Sequence, residues 1–139
     1  MLKIYSKVQP ELLLHIVFRR KDFTSKRIDI IDPDNFLQCA ALRLDEGTTF
    51  KPHKHIEKEV TDLDRKAQES WIVIKGVIKC TFYDIDDSIL EEVVIYEGDA
   101  SFTLHGGHTY TVLEDNTFVM EYKSGKYSGV ANEKVFIDG

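Results

Sequence analysis

The sequence predicts an all-β sandwich or barrel, and two observations carry this prediction. The first is a series of short runs rich in Val, Ile, Phe, Tyr and Thr, the residue types that favour strands. The second is the turn chemistry between the runs, as in Asp32-Pro33-Asp34-Asn35, Asp45-Glu46-Gly47 and Glu97-Gly98-Asp99. Because no long helical stripe interrupts the series, a layered β structure is favoured over a βαβ fold.

Nine runs are predicted to be strands, in chain order Leu12–Phe18, Lys26–Ile31, Phe36–Leu44, Trp71–Ile74, Val77–Tyr83, Glu92–Tyr96, Ala100–Leu104, Tyr110–Leu113 and Thr117–Tyr122. Strand side chains alternate between faces, so Ile78, Cys80 and Phe82 share one face and are predicted to point into the core. The run Trp71–Ile74 is apolar without alternation, which predicts a strand covered on both faces. The polar segment Glu57–Gln68 is the one candidate helix, and it is expected to be a surface excursion.

Length and composition set the class of protein. The chain has 139 residues, of which 42% are hydrophobic, and one domain uses roughly 100–200 residues, so a single domain spanning the whole chain is expected. The longest apolar run, Leu12–Phe18, contains His15 and is far shorter than the roughly 20 residues that span a bilayer. It also lacks the flanks of a secretory signal, so a cytoplasmic protein is expected. Cys39 and Cys80 lie in apolar runs and are predicted to be buried free thiols.

The net charge of −6 is unevenly distributed. Residues 1–31 carry seven Lys and Arg against three Asp and Glu, a balance of +4 that leaves −10 for residues 32–139. Five positive residues form what we call the basic cluster: Arg19, Arg20, Lys21, Lys26 and Arg27. This cluster is either a solvated turn or a site that attracts a phosphate or another anion. Nucleic-acid binding is not predicted, because the rest of the chain is acidic and basic residues do not alternate with aromatic ones.

His53 and His55 are the first candidate functional residues. Two residues apart on an extended segment, their side chains point to the same side and can share one metal ion. The alternative is a pair of surface histidines beside a turn.

The flanks of this pair resemble the cupin family of small β-barrels. Gly47-Thr-Thr-Phe-Lys-Pro-His53-Lys-His55 is similar to the first half of the first cupin motif, and Glu69-Ser-Trp-Ile-Val-Ile-Lys-Gly76 to its second half. The segment between them is longer than the usual cupin spacer and contains Glu57 and Glu59, which are nearer to the histidines in sequence. Glu69 is nevertheless favoured as the carboxylate, because it keeps its spacing from Gly76 and leads into a strand.

The second cupin motif resembles Gly98–His108, where His108 matches the final ligand and His105 is the alternative. Together the motifs cover about residues 36–127. The resemblance implies a double-stranded β-helix, or jelly-roll barrel, with the metal ligands His53, His55, Glu69 and His108. It also implies a homodimer. The segment after His108 is similar to that of small cupins found with genes for surface-sugar and acylneuraminate assembly.

Three imidazoles and one carboxylate suit a divalent Zn, Fe, Mn or Ni ion without choosing among them. Such a site leaves a position open for a small oxygenated ligand such as a sugar or sugar phosphate. The resemblance to the sugar-cluster cupins implies a carbohydrate or nucleotide-sugar isomerase or epimerase. His105 is the candidate catalytic base, unless it is a surface histidine in a Gly-rich turn. Three alternatives stay open: an iron-dependent dioxygenase, a ligand-binding or sensing protein without catalysis, and a barrel that has lost its metal.

Overall fold

The computed structural model describes residues 1–55, 67–125 and 134–138, without the side chains of His55 and Lys134. Its strands are β1 Leu2–Tyr5, β2 Leu13–Val17, β3 Arg27–Asp29, β4 Leu37–Leu44, β5 His53–His55, β6 Glu69–Lys75, β7 Val77–Tyr83, β8 Ile89–Tyr96, β9 Ala100–Thr103, β10 Gly107–Val112, β11 Thr117–Ser124 and β12 Lys134–Phe136. One short 3-10 helix covers Arg20–Asp22. Every predicted run contains or overlaps one of these strands, so the all-β prediction is confirmed.

Ten of these strands form two antiparallel sheets of five. Sheet I has the order β12-β5-β10-β7-β8, and sheet II has the order β3-β4-β11-β6-β9. β1 and β2 form a separate hairpin, in which Ile4 pairs with His15. The sheets contain strands from distant parts of the chain, so residues from both halves of the sequence meet between them.

The main core fills the space between the two sheets. Ile78 and Cys80 are fully buried there, and Phe82 packs against the same cluster, which confirms the predicted inner face of β7. Cys39 and Cys80 are both buried free thiols, as predicted. Burial raises the pKa of each thiol to about 11, because the charged thiolate is poorly solvated inside the protein.

A second apolar cluster covers the outer face of sheet II. Its buried members are Phe23, Ile30, Cys39 and Ala41, and Ile74 packs against them. Trp71 and Val73 of the same strand as Ile74 belong to the main core instead. The prediction that Trp71–Ile74 is covered on both faces is therefore confirmed.

Gly76 is the corner at which the chain passes from sheet II to sheet I. This residue alone separates β6 from β7, and its φ of +92° lies in the left-handed region. A Cβ atom at this position would overlap Thr117 Oγ1 and lie 2.9 Å from Thr117 Cα. Only glycine fits such a corner without a shift of the backbone. This explains why the first motif has a glycine at position 76.

Three short strands were not predicted outright. β1 and β12 are absent from the predicted runs, whereas β5 confirms the extended segment on which the pairing of His53 with His55 depends. Most of the candidate helix Glu57–Gln68 lies outside the described residues, and Ala67 and Gln68 are not helical. The described residues contain no helix with the length and apolarity needed to cross a membrane.

Candidate metal centre

His53, Glu69 and His108 converge between the two sheets. His53 on β5 and His108 on β10 are direct cross-strand partners in sheet I, so their side chains share a face and their ring centroids are 4.8 Å apart. Glu69 reaches them from β6 of sheet II, with its Oε2 atom 3.5 Å from His108 Nε2. These three residues, which we call the metal cluster, each place one ligand atom within 4.8 Å of the others. All three residues are buried.

Hydrogen bonds orient both imidazoles. His53 Nδ1 lies 3.2 Å from the Lys51 carbonyl oxygen, and His108 Nδ1 lies 2.8 Å from Thr103 Oγ1. A histidine that binds a metal through Nε2 carries its proton on Nδ1 and donates it to such an acceptor. The Lys51 carbonyl can only accept, so it selects this tautomer for His53, and the Thr103 hydroxyl can accept the same proton from His108.

Trp71 holds Glu69 and His108 in place. Its indole Nε1 donates a hydrogen bond of 2.9 Å to Glu69 Oε1. Its ring stacks on His108 with centroids 4.2 Å apart and planes 18° from parallel. Because Trp71 lies two residues after Glu69 on β6, both side chains point to the interior face of sheet II.

The cluster fits a divalent metal ion. Metal bonds of about 2.0–2.2 Å to nitrogen and oxygen place neighbouring ligand atoms ~3–3.5 Å apart, and the Glu69 and His108 atoms are 3.5 Å apart. The set offers imidazole nitrogen and carboxylate oxygen without a thiolate, as Zn, Fe, Mn and Ni accept. The side chain of His55, the fourth predicted ligand, lies outside the described residues, as do Glu57 and Glu59.

A cavity of about 530 Å³ adjoins the cluster, and this size is typical of small-molecule sites. Its wall includes His53, Glu69, Trp71, Tyr110 and Glu121. Burial raises the pKa of the Tyr110 hydroxyl, which has no hydrogen-bond partner among the described residues. Metal cluster and cavity thus form one continuous site.

The structure does not bring His105 to this site. β9 ends at Thr103, and His105 lies in the following bend with its side chain exposed and is not among the described residues that line the cavity. Of the two candidates for the last ligand, His108 is the one in the cluster. The role of His105 as a catalytic base stays a prediction without support from its position.

Sequence reasoning missed Glu121 and its contact with Arg27. Glu121 Oε1 accepts a 3.3 Å hydrogen bond from Trp71 Nε1, and its Oε2 accepts one of 3.4 Å from Arg27 Nη1. The alternation of β11 carried a signal for Glu121, since it follows the core residue Val119 by two positions and so faces inward. The position of Arg27 had no such signal, because it depends on the pairing of β3 with β4.

The two-sheet architecture has the cupin-type double-stranded β-helix fold, and solved structures show the same fold. No family model matches the sequence, and no curated protein matches it. An uncharacterized protein with a double-stranded β-helix domain from Klebsiella pneumoniae matches 99% of this chain and 100% of its own, with a TM-score of 0.64 and 10% identity. The similarity at this level of identity establishes the fold.

Two further structures with named proteins are similar. KdgF from Halomonas sp. matches 73% of this chain and 80% of its own, with a TM-score of 0.56 and 20% identity. Oxalate decarboxylase from Bacillus subtilis matches 80% of this chain, with a TM-score of 0.58 and 18% identity. This chain spans only 27% of the oxalate decarboxylase chain.

Proposed function

We propose that the protein binds a divalent metal ion through His53, His55, Glu69 and His108 and acts on a small oxygenated ligand in the adjoining cavity. The reaction we propose is the isomerisation or epimerisation of a carbohydrate or nucleotide sugar. The observation that carries the proposal is the convergence of three buried ligand residues at the wall of a cavity of about 530 Å³. A bound metal supplies Lewis acidity toward a ligand oxygen atom.

Glu121 is the carboxylate that we propose for proton transfer. Isomerisation of a hydroxy-carbonyl compound needs a base within reach of the carbon-bound proton. Glu121 lines the cavity, and its Oε1 atom shares the indole proton donor of Trp71 with Glu69. It therefore lies beside the metal cluster, where His105 does not.

Metal binding is tested by elemental analysis of protein purified without chelator, loaded with Zn, Fe, Mn or Ni and then desalted. The wild type is expected to retain close to one metal per chain, and Glu69→Gln and His108→Ala to lose it. Two matched controls, Glu91→Gln and His15→Ala, change exposed residues of the same types and should retain the metal. A wild type that retains no metal under any loading condition contradicts the proposal.

Catalysis is tested by proton NMR in deuterated water, with aldoses, ketoses and nucleotide sugars and the metal-loaded protein. Proton transfer exchanges a carbon-bound hydrogen for deuterium even when the net conversion is small. We expect exchange with the wild type and none with Glu121→Gln, with the metal content unchanged. Undiminished exchange in Glu121→Gln contradicts the assigned role of this residue.

The second candidate is a binding protein without catalysis. One observation favours it: the histidine that the sequence predicts as the base, His105, is exposed and does not line the cavity. Metal-dependent binding of a sugar that raises the melting temperature, with no deuterium exchange in any substrate, would decide for this candidate.

A further inference from the structure

Arg27 is the member of the basic cluster that reaches the cavity. It lies at the start of β3, opposite Leu42 of β4, and lines the cavity together with the residues of the metal cluster. Arg20, by contrast, lies 4.0 Å from Glu97, and both of these side chains are more than half exposed. The other members of the basic cluster do not line the cavity either.

Two carboxylates hold the Arg27 guanidinium. Its Nε donates a 3.0 Å hydrogen bond to Asp29 Oδ1, and its Nη1 donates a 3.4 Å hydrogen bond to Glu121 Oε2. No described residue accepts a hydrogen bond from Nη2, and the side chain is 55% exposed. The planar group is thus oriented by the protein while part of its donor set remains available, as in arginines that recognise carboxylates and phosphates.

Among the described residues, the charges on the cavity wall balance before a metal is added. Three positive residues, Arg27, Lys51 and Lys123, line the same space as three carboxylates, Asp29, Glu69 and Glu121. A divalent metal at the cluster would add two positive charges to this balance among the described residues. Such a site favours a ligand that carries negative charge.

The charge of Arg27 itself is secure. Burial lowers the pKa of its guanidinium, but the negative charges of Glu121 and Asp29 outweigh burial, and the net shift is upward. Arg27 is therefore positively charged throughout the ordinary pH range.

We propose that Arg27 binds an oxyanion of the ligand, a carboxylate or a phosphate, and so selects sugar acids or sugar phosphates over neutral sugars. The inference rests on the proposed function, since it places the ligand in the cavity beside the metal cluster. Glu121 connects Arg27 to the metal cluster through hydrogen bonds. It accepts from Arg27 and from Trp71, and Trp71 also donates to Glu69. An anion bound to Arg27 therefore lies beside Glu121 and Trp71, and Trp71 contacts the metal ligand Glu69.

Trp71 is the natural probe for this test, because it is the only tryptophan of the chain and donates to Glu121. Its fluorescence is recorded while zinc-loaded protein is titrated with galacturonate, glucose 6-phosphate and neutral galactose. The two anions distinguish a carboxylate from a phosphate. The wild type is expected to bind at least one anion more tightly than galactose.

Arg27→Gln is expected to weaken binding of that anion at least about tenfold, because it removes a charge-assisted hydrogen bond, and to leave the affinity for galactose unchanged. Arg20→Gln is the matched control: it removes the same charge from the same cluster, outside the cavity, and should bind like the wild type. Arg27→Lys keeps the charge without the planar group and should give an intermediate affinity.

The inference is overturned if Arg27→Gln binds the anions as tightly as the wild type does, or if the variant loses as much affinity for galactose as for the anions. It is also overturned if the wild type binds no anion. Melting curves of each variant show whether it is folded. If Arg27→Gln is not folded, the anion affinity of Arg27→Lys decides whether Arg27 binds the ligand. The titration is repeated on metal-free protein and the metal content is measured separately. Failure to bind metal would thus count against the proposed function, while the anion affinities still decide the role of Arg27.

Discussion

The two ends of the space between the sheets are built from the same strands but carry opposite chemistry. On β10, Val112 lies in the apolar core, whereas His108 lies in the metal cluster, and both are almost completely buried. On β6, Val73 and Glu69 show the same contrast. Along each strand the inward side chains change from apolar to polar over four residues. The protein therefore separates its stability from its chemistry by position along a strand.

The polar end needs partners that the apolar end does not. A buried polar group without a hydrogen bond destabilises the folded state, so it must be satisfied within the protein. Glu69 accepts a hydrogen bond from Trp71, and His108 contacts Thr103. The apolar end requires close packing alone. Substitutions at the two ends should consequently fail in different ways.

The largest expected effect is at the apolar end. Ile78→Ala removes a fully buried side chain from the core, and the resulting cavity is expected to lower the free energy of unfolding by about 2–5 kcal/mol. Metal binding by the folded fraction should be unchanged. Urea denaturation measures the first quantity and metal titration the second.

Ile85→Ala is the control for this prediction, because Ile85 is 80% exposed. It should change the free energy of unfolding by no more than about 0.5 kcal/mol. If Ile78→Ala weakened metal binding as strongly as it weakened the fold, the two ends would not be independent.

The next effect concerns alkaline pH and Cys80, a fully buried thiol of the apolar end. Its pKa rises from 9.0 to about 11 on folding because of burial. Well below pH 9 the thiol is protonated in both states, and near and above pH 9 the unfolded state ionises first, so stability falls as pH rises toward 11. The loss amounts to about 2–3 kcal/mol for this shift.

Wild type and Cys80→Ala are compared by urea denaturation between pH 8 and pH 11.5. The wild type should lose more stability over this range than the variant, since all other titrating groups are shared. If the free energy of unfolding falls equally with pH in both proteins, burial does not raise the pKa of the Cys80 thiol.

The smallest effect is at the polar end. Thr103→Val keeps the shape of the side chain but removes the hydroxyl that contacts His108 Nδ1. Partners that orient a metal ligand typically change metal affinity 10–100-fold, and we expect a loss of about tenfold here because the ring still stacks on Trp71. Competition with a chelator of known affinity measures it.

Thr111→Val provides the control. Thr111 lies on the same strand as His108, but its hydroxyl bonds to Thr49 and it does not line the cavity. Its metal affinity should equal that of the wild type. Equal losses in both variants would mean that the contact with Thr103 does not orient the ligand.

The predictability of the molecule from sequence follows the same contrast. Long runs with alternation, such as Val77–Tyr83, predicted their strands and their buried face, because burial imposes a period of two. β1 and β12, of four and three residues, were missed; β3 and β9 are as short, but they lie inside the longer predicted runs Lys26–Ile31 and Ala100–Leu104. Tertiary pairing, which no local pattern records, places them.

The site was predictable where a motif carried it and not elsewhere. His53, Glu69 and His108 stand in the two motifs, and the structure brings them together. Arg27 and Glu121 meet only because β3 and β11 both pair with β4, a register set by strands far apart in the chain. The sequence around a single charged residue does not show which distant residue it will contact in the folded protein.

The meeting of β5, β6 and β10 at the cluster also determines when the site can form. His53 and His108 are more than fifty residues apart in sequence and Glu69 belongs to the opposite sheet, so the ligands come together only after both sheets have closed. Contacts of such long range carry a high entropy cost of loop closure, so we expect them to form late in folding. Metal binding is therefore expected to leave the folding rate unchanged and to slow unfolding, so that the metal lengthens the lifetime of the folded barrel without guiding its assembly.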